Sequence, residues 1–346
     1  MSLTDPDIAS DQEAGCLPPR ERYDLLGHLD AERAFQTAWE SGRLHHAWLI
    51  SGPKGIGKAT LAWRMARRVL GAAPDTEYGI LGSSPRDPAS QLLEAGANPD
   101  LLMLRRPWDD KRKRWRAEIT VDEARKAPSF FEKSAGAGGW RVCIVDSADD
   151  MNRNAANALL KTLEEPPKRG ILILISHSPG RLPATIRSRC RKLVLRAPEP
   201  TAVCRWLSER NGVPSEASLD QLVDYAGASP GRALALAIGD GASLIQDVDA
   251  LVKRGKSLSD QDARRIADRV TGKGREDQLA VFYEALARAY QAQALQCATD
   301  GRDPKGWIKA WADMAKLVRD AEALYLDPKQ TVLQALSLTR TAATTS

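Results

Sequence analysis

At 346 residues, with 43% hydrophobic and 27% charged positions, the chain has the composition of an ordinary globular protein and length for two or three domains. Fifty lysines and arginines against forty-five aspartates and glutamates leave a net charge of +5, too nearly balanced to argue for nucleic acid as a direct partner. Cys16, Cys143, Cys190, Cys204 and Cys297 form no CxxC pair and no run of about eighteen apolar residues occurs, so a disulfide framework, a structural zinc, secretion and a membrane span are all unexpected, and a cytoplasmic protein is expected.

Residues 1–18 are polar, lack periodicity and read as a flexible tail. A helix is expected over 28–41, with Ala31, Phe35 and Ala38 on one face. The apolar run 47–50 leads into Ser51-Gly52-Pro53-Lys54-Gly55-Ile56-Gly57-Lys58, and a helical face of Leu61, Ala62, Met65, Ala66, Val69 and Leu70 follows. Strand, glycine-rich loop and helix is the setting of a P-loop, in which Gly52, Gly55 and Gly57 let backbone N–H groups curl around phosphate oxygens and Lys58 reaches the terminal phosphates. The motif wants a hydroxyl after the lysine to ligate Mg²⁺, and here that residue is Ala59. Thr60 lies about 100° further around the helix and should miss that place. ATP or ADP with Mg²⁺ is therefore expected to bind weakly or not at all, and a simple glycine turn without ligand stays open.

The interval 71–107 reads as polar loop up to a strand at 101–104. The run 105–116 (RRPWDDKRKRWR) is the most basic in the chain and interleaves Trp108 and Trp115. It reads either as a nucleic-acid grip or as a solvated hairpin with its turn at Asp109-Asp110. A helix should begin near Val121, kink or restart at Pro128, and be closed by a loop at 136–139. The apolar run 142–145 ends on Asp146. A helical segment follows with Ala156, Leu159, Leu160 and Leu163 in register, stopped by Pro166 and Pro167, and a second apolar run, 171–175, ends on Ser176. Two buried-type strands around one helix, each ending on a polar residue, predict a parallel sheet with a ligand site at its strand C-termini. A short helix at 182–187, the tripeptide Ser188-Arg189-Cys190 and a strand at 192–195 complete this part. Short helices are expected at 201–209, 216–225 and 230–238, then longer ones at 244–253, 260–270, 275–297, 305–326 and 329–338, with Trp307, Trp311, Met314, Leu317 and Ala321 as an apolar stripe.

Asn157 to Pro167 (NALLKTLEEPP), followed by Leu182-Pro183 and Ser188-Arg189-Cys190, resembles the clamp-loader branch of the AAA+ superfamily, most of all the delta-prime type of the bacterial DNA polymerase III clamp loader. The resemblance covers most of 20–340. It implies an α/β P-loop AAA+ base domain at 19–196, a parallel sheet with flanking helices, after the tail at 1–18. A small helical lid at 197–240 and an all-α collar domain at 241–346 would follow. It also implies gamma/tau motor subunits and a delta subunit as partners, with the sliding clamp and primed DNA contacted indirectly.

By that resemblance Tyr23 and Leu26 would line a base, unless they merely pin the N-terminal segment; Ser176 would sense the terminal phosphate, unless it caps a turn; and Arg232 would point at phosphates from the lid, unless it faces solvent. The four-cysteine zinc module common in relatives has no cysteines in 71–107, so no metal is expected. Asp146 would help hold Mg²⁺, but the water-activating glutamate expected next is Ser147, a residue that is no general base without a partner. Asp149 and Asp150 would need an unusual turn to replace it. Arg189, at a domain edge, is implied to act as an arginine finger on a neighbour's nucleotide, an effect of roughly 10³ to 10⁵ in rate. The bland alternative is a surface ion pair. A subunit that donates an arginine but does not hydrolyse ATP is the expectation. The alternatives are an ATP-hydrolysing gamma/tau-type motor subunit and a free-standing DNA-dependent AAA+ protein.

Overall fold

The structure, a computed structural model, describes residue 12 and residues 16–133, 139–210, 213, 219–272 and 274–345. The chain divides into two compact units, one ending at Ile238 and the other beginning at Gly239.

In the first unit, helix α1 (Leu29–Glu40) precedes β1 (Ala47–Ser51), the glycine loop and α2 (Lys58–Val69). Then come α3 (Pro88–Glu94), β2 (Leu101–Leu104), a hairpin of β3 (Trp108–Asp109) and β4 (Arg114–Trp115), α4 (Val121–Ala124) and α5 (Lys126–Glu132). β5 (Arg141–Val145), α6 (Arg153–Glu164), β6 (Gly170–Ser176), α7 (Ala184–Arg187) and β7 (Arg191–Val194) complete the sheet region. Three short helices follow: α8 (Pro200–Ser208), α9 (Leu219–Tyr225) and α10 (Pro230–Ile238).

β2, β5, β6, β1 and β7 lie side by side in that order, all parallel. The reason is legible in the alternation of buried residues. Trp48, Ile50, Val142, Ile144, Ile171 and Ile173 pack with Phe35 of α1 and Leu61 and Met65 of α2 on one face. Leu49, Cys143, Val145, Leu172 and Leu174 pack with Leu159 and Leu163 of α6 on the other. Strands covered on both faces must be apolar at every position, which is why these runs show no polar alternation. Helix α6 starts where the Asn152 side chain accepts from Ala155 N–H and ends before Pro166.

Charged groups also enter this core. Arg64, Arg67 and Arg68 of α2 are buried. Arg64 donates to Glu32 Oε1 at 2.7 Å, to Tyr78 O at 2.6 Å and to Tyr23 O. Arg67 donates to Arg22 O and Arg20 O and stacks on the Tyr23 ring, whose hydroxyl donates to Glu94 Oε2 at 2.7 Å. Burial and that bond push the Tyr23 phenol up to about 12, and burial lowers Arg67. Tyr23 therefore fastens the N-terminal segment to the domain. A buried guanidinium is tolerated only when its donors are occupied, and here backbone carbonyls of an extended segment supply the acceptors.

Several expected boundaries shift. The interval read as loop holds α3, capped by the Asp87 carboxylate on Ser90 N–H with Pro88 at its first position, and a 3₁₀ turn at Thr76–Tyr78. The hairpin turn falls at residues 110–113, because Asp109 belongs to β3 and its carboxylate accepts from Lys111 and Arg112 N–H. The helix expected at 182–187 is shorter, α7 at Ala184–Arg187, with a separate 3₁₀ turn before it at Pro179–Arg181. The break between α4 and α5 falls at Arg125, three residues before Pro128, whose ring disfavours a continuous helix there. Most of the expected tail, most of the 136–139 loop and the start of the helix expected from 216 lie outside the described residues. Cys16 is described, and its thiol lies 3.5 Å from Gly231 O.

The second unit is helical: α11 (Gly241–Arg254), α12 (Asp260–Val270), α13 (Glu276–Thr299), α14 (Lys305–Leu324) and α15 (Pro328–Thr345). The Tyr290 hydroxyl bonds Ala335 O at 2.9 Å and Thr339 Oγ1 at 2.8 Å, joining α13 to α15 inside the bundle. The last helix runs seven residues beyond the expected end. Of the expected stripe, Trp307 and Met314 are buried but Trp311 is 40% exposed, since it sits on the rim of the buried face.

Candidate phosphate loop and edge arginine

The loop between β1 and α2 has the expected shape. Gly55 and Gly57 adopt φ of 73° and 104°, which only glycine takes without strain. They also have no room for a Cβ: at Gly55 it would lie 2.7 Å from Arg232 N, and at Gly57 2.7 Å from Leu25 Cδ1. The start of α10 is thus pressed against the loop. Gly231 N–H donates to Gly55 O at 2.8 Å, and the Ser229 hydroxyl donates to Lys54 O at 2.6 Å. Arg232, half-buried, stands at this seam.

Lys58 is buried, and its ammonium donates to Gly52 O at 2.8 Å and Pro53 O at 2.6 Å. The cation that a P-loop directs at terminal phosphates is here bonded to the loop's own carbonyls. Ala59 and Thr60 occupy the second and third positions of α2, so the place of the Mg²⁺-binding hydroxyl is a methyl group. Gly52 opens the loop between the ends of β6 and β7: its N–H donates to Ser176 O at 3.3 Å, and a Cβ on it would lie 2.6 Å from Leu195 O.

At the ends of β5 and β6 the polar groups bond one another. Asp146 is buried, and its N–H donates to Leu104 O at 2.9 Å. After it, a 3₁₀ turn at Ala148–Asp150 swings Asp149 back across the strand ends. Its carboxylate accepts from Ser147 Oγ at 2.8 Å, Ser176 Oγ at 2.8 Å, His177 N–H at 2.5 Å and Ser178 N–H at 3.3 Å. Burial raises this carboxyl, but the four donors outweigh it and hold Asp149 below the usual carboxylate range. A turn that brings Asp149 back does occur, and the carboxylate it carries is held by four hydrogen bonds. His177 is a site residue that sequence reasoning passed over, while Asp149 was weighed there only as a replacement needing an unusual turn. Desolvation, with Lys58 and Lys54 nearby, pushes His177 down to about 4, so it is neutral at pH 7. No periodicity flags either residue; their position directly after two strand ends was the available signal.

These residues fit a phosphate cradle in backbone shape. Neither a hydroxyl at position 59 nor a carboxylate at 147 is present, and Lys58 and Asp149 are engaged internally.

Arg189 lies elsewhere. It sits between α7 and β7, and its guanidinium bonds Glu164 Oε1 at 2.9 Å, at the C-terminus of α6, and Thr185 O at 2.9 Å. Register pairs Arg191 with Trp48 and Val194 with Ser51, so Arg189 precedes the start of β7 while the loop follows the end of β1. At about 3.3 Å per residue, the two are separated by roughly 15–20 Å along the sheet. The structure brings Gly52, Gly55, Gly57, Lys58, Asp146, Ser176 and Arg232 to one end and leaves Arg189 at the other.

The basic run forms a hairpin on which Lys111, Arg112, Lys113 and Arg114 are exposed. Trp108 and Trp115 pack edge to face with centroids 5.3 Å apart, Arg105 lies 5.7 Å over Trp115, and Arg106 pairs with Asp150 at 3.3 Å. Among the described residues no three His, Cys, Asp or Glu side chains converge to hold a metal, and no helix is long and apolar enough to cross a membrane.

Residues 27–199 match the sequence family described as DNA polymerase III, delta subunit. The chain belongs to that family. It is 38% identical over 199 residues to DNA polymerase III subunit delta' of Pseudomonas aeruginosa, covering 56% of this chain and 58% of that one. It is 36% identical over 204 residues to the Escherichia coli delta' subunit, covering 59% and 58%. The chain spans less than two thirds of the length of either relative. It is also 30% identical over 291 residues to the Escherichia coli tau subunit, covering 80% of this chain but 42% of tau. Within the family match lie the phosphate loop, the Asp149 turn and Arg189, so both ends of the sheet belong to the shared part.

Proposed function

We propose that the chain is a clamp-loader subunit of the delta-prime type, which does not turn over ATP itself but presents Arg189 to the nucleotide of an adjacent motor subunit. In this reading its partners are gamma/tau motor subunits and a delta subunit. The assembly places a sliding clamp on primed DNA in the cytoplasm, and this chain acts as a stator. The base (19–196), lid (197–240) and collar (241–346) divide that work into arginine presentation, loop clamping and assembly.

One observation carries the reading: Arg189 stands at the opposite end of the sheet from the chain's own phosphate loop. A guanidinium that far away cannot neutralise charge developing on phosphates held by Gly55 and Lys58, so any phosphoryl group it serves belongs to another chain. Its restraint is light. An exposed pair with Glu164 contributes ~1 kcal/mol or less and can be exchanged for a phosphate. The collar reading is supported by apolar side chains left open on the second unit, among them Leu295, Ile308, Leu324 and Tyr325, the last 94% exposed.

The motor reading has one observation in its favour, the 30% identity to a tau subunit over most of this chain. Ala59 and Ser147 count against it. The deciding experiment reconstitutes the complex with Arg189→Ala. Assembly should persist while DNA-stimulated hydrolysis at the neighbouring site falls by roughly 10³-fold or more; unchanged turnover would rule the finger out.

A further inference from the structure

β2 ends the sheet, and among the described residues no strand pairs with its outer side. Val142 N–H donates to Asp100 O and Asp146 N–H to Leu104 O, so the even-numbered residues of β2 bond β5. In a parallel ladder the main-chain groups of the alternate residues, Leu101 and Met103, then face outward. Along this open edge runs a cavity of about 360 Å³, walled by Leu101, Met103, Arg105, Trp63, Pro19 and Arg20 together with a few smaller residues.

Three properties of that wall narrow what fits it. Leu101 and Met103 are half-buried and pack against the α2-side core, leaving apolar surface open to the groove. Both ionisable residues of the wall, Arg20 and Arg105, are cationic, and no carboxylate lines it. Trp63, mostly buried, adds a further apolar wall to the groove.

From this we infer that the outer edge of β2 docks an extended acidic peptide segment of a partner protein as a sixth strand. Its main chain bonds Met103, its apolar side chains cover Leu101 and Met103, and its carboxylates meet Arg20 and Arg105. Strand addition suits the site because main-chain bonds supply affinity while alternate side chains supply selection. An exposed strand that carries four apolar residues in a row would otherwise invite non-specific pairing.

A fluorescein-labelled, end-capped heptapeptide, Asp-Ser-Val-Ser-Val-Ser-Asp, whose valines and aspartates share one face of an extended strand, is the probe, titrated into the full chain by anisotropy. Saturable binding is expected, with exchange of the Met103 amide slowed at least tenfold. The same peptide N-methylated at alternate residues, which cannot form the ladder, should bind at least tenfold more weakly, and this arm needs no protein variant. The double variant Arg20→Glu with Arg105→Glu should likewise lose at least tenfold and lose the salt dependence. Absence of saturable binding, equal binding of the N-methylated peptide, or a chain that self-associates through this edge and so excludes the peptide would each overturn the inference.

Discussion

The two ends of the sheet treat their charged groups in opposite ways. At the strand C-termini, Lys58 bonds two loop carbonyls, Ser176 and Ser147 bond Asp149, and Ser229 bonds Lys54 O. At the other end, Arg189 is held by Glu164, itself half exposed, and by one carbonyl. A site whose polar groups satisfy one another gains stability and loses readiness for chemistry, because each bond must break before a ligand or water can replace it. The lightly held guanidinium keeps its readiness. In the proposed reading, the fold keeps the outline of a nucleotide site as structure and presents the lightly held Arg189 from an edge.

The largest change on the folded chain alone should come from the committed charges. Arg64→Ala leaves Glu32 buried without its cation and frees the carbonyls of Tyr23 and Tyr78. Losing one partner of such a pair costs about 3–5 kcal/mol, read as a lowered urea midpoint. Arg189→Ala in the same assay should cost ~1 kcal/mol or less. Equal losses would contradict the light restraint of Arg189.

Asp149→Ala comes next. Four donors lose their acceptor, and about 1–3 kcal/mol should be lost, with part restored in Asp149→Asn. Because the folded carboxyl is held below its unfolded value near 3.9, its contribution is present above that pH and fades as pH falls through the folded value. The Asn variant should therefore lose part of the acid sensitivity below about pH 4.

How much of this was readable beforehand depends on what kind of signal each residue sends. Unbroken apolar runs at 142–145 and 171–175 announced strands covered on both faces, and Asn157 to Pro167 announced a helix and its stop. Arg64, Arg67 and Arg68 sent the opposite signal. Written in sequence they look like a solvated helix face, and only the carbonyls of a segment some forty residues away make their burial tolerable. Helix α3 did carry a signature, Asp87-Pro88 as cap and first residue, but its one fully buried leucine, Leu93, gave too little periodicity to stand out from the loop around it. At the site, glycine spacing revealed the loop's shape. Where Lys58 and Asp149 point depends on strand ends far apart in sequence, and no local pattern encodes that.

The smallest effect concerns His177, whose exposed imidazole lets solvent screen most of the shift. Its folded value, about 4, lies below the ordinary 6.5, so the unfolded chain takes up a proton first as pH falls, and stability should decline between about pH 6.5 and 4. His177→Gln should flatten that part of the urea-midpoint profile slightly; an unchanged slope would place the imidazole outside the quiet end of the sheet.

The central claim is that the two ends have exchanged roles, and one paired measurement tests it. DNA-stimulated ATP turnover would be compared in reconstituted complexes carrying either Lys58→Ala or Arg189→Ala in this subunit. The account predicts that Lys58→Ala leaves turnover unchanged while Arg189→Ala removes the neighbouring site's share. Loss of turnover with Lys58→Ala and none with Arg189→Ala would contradict it.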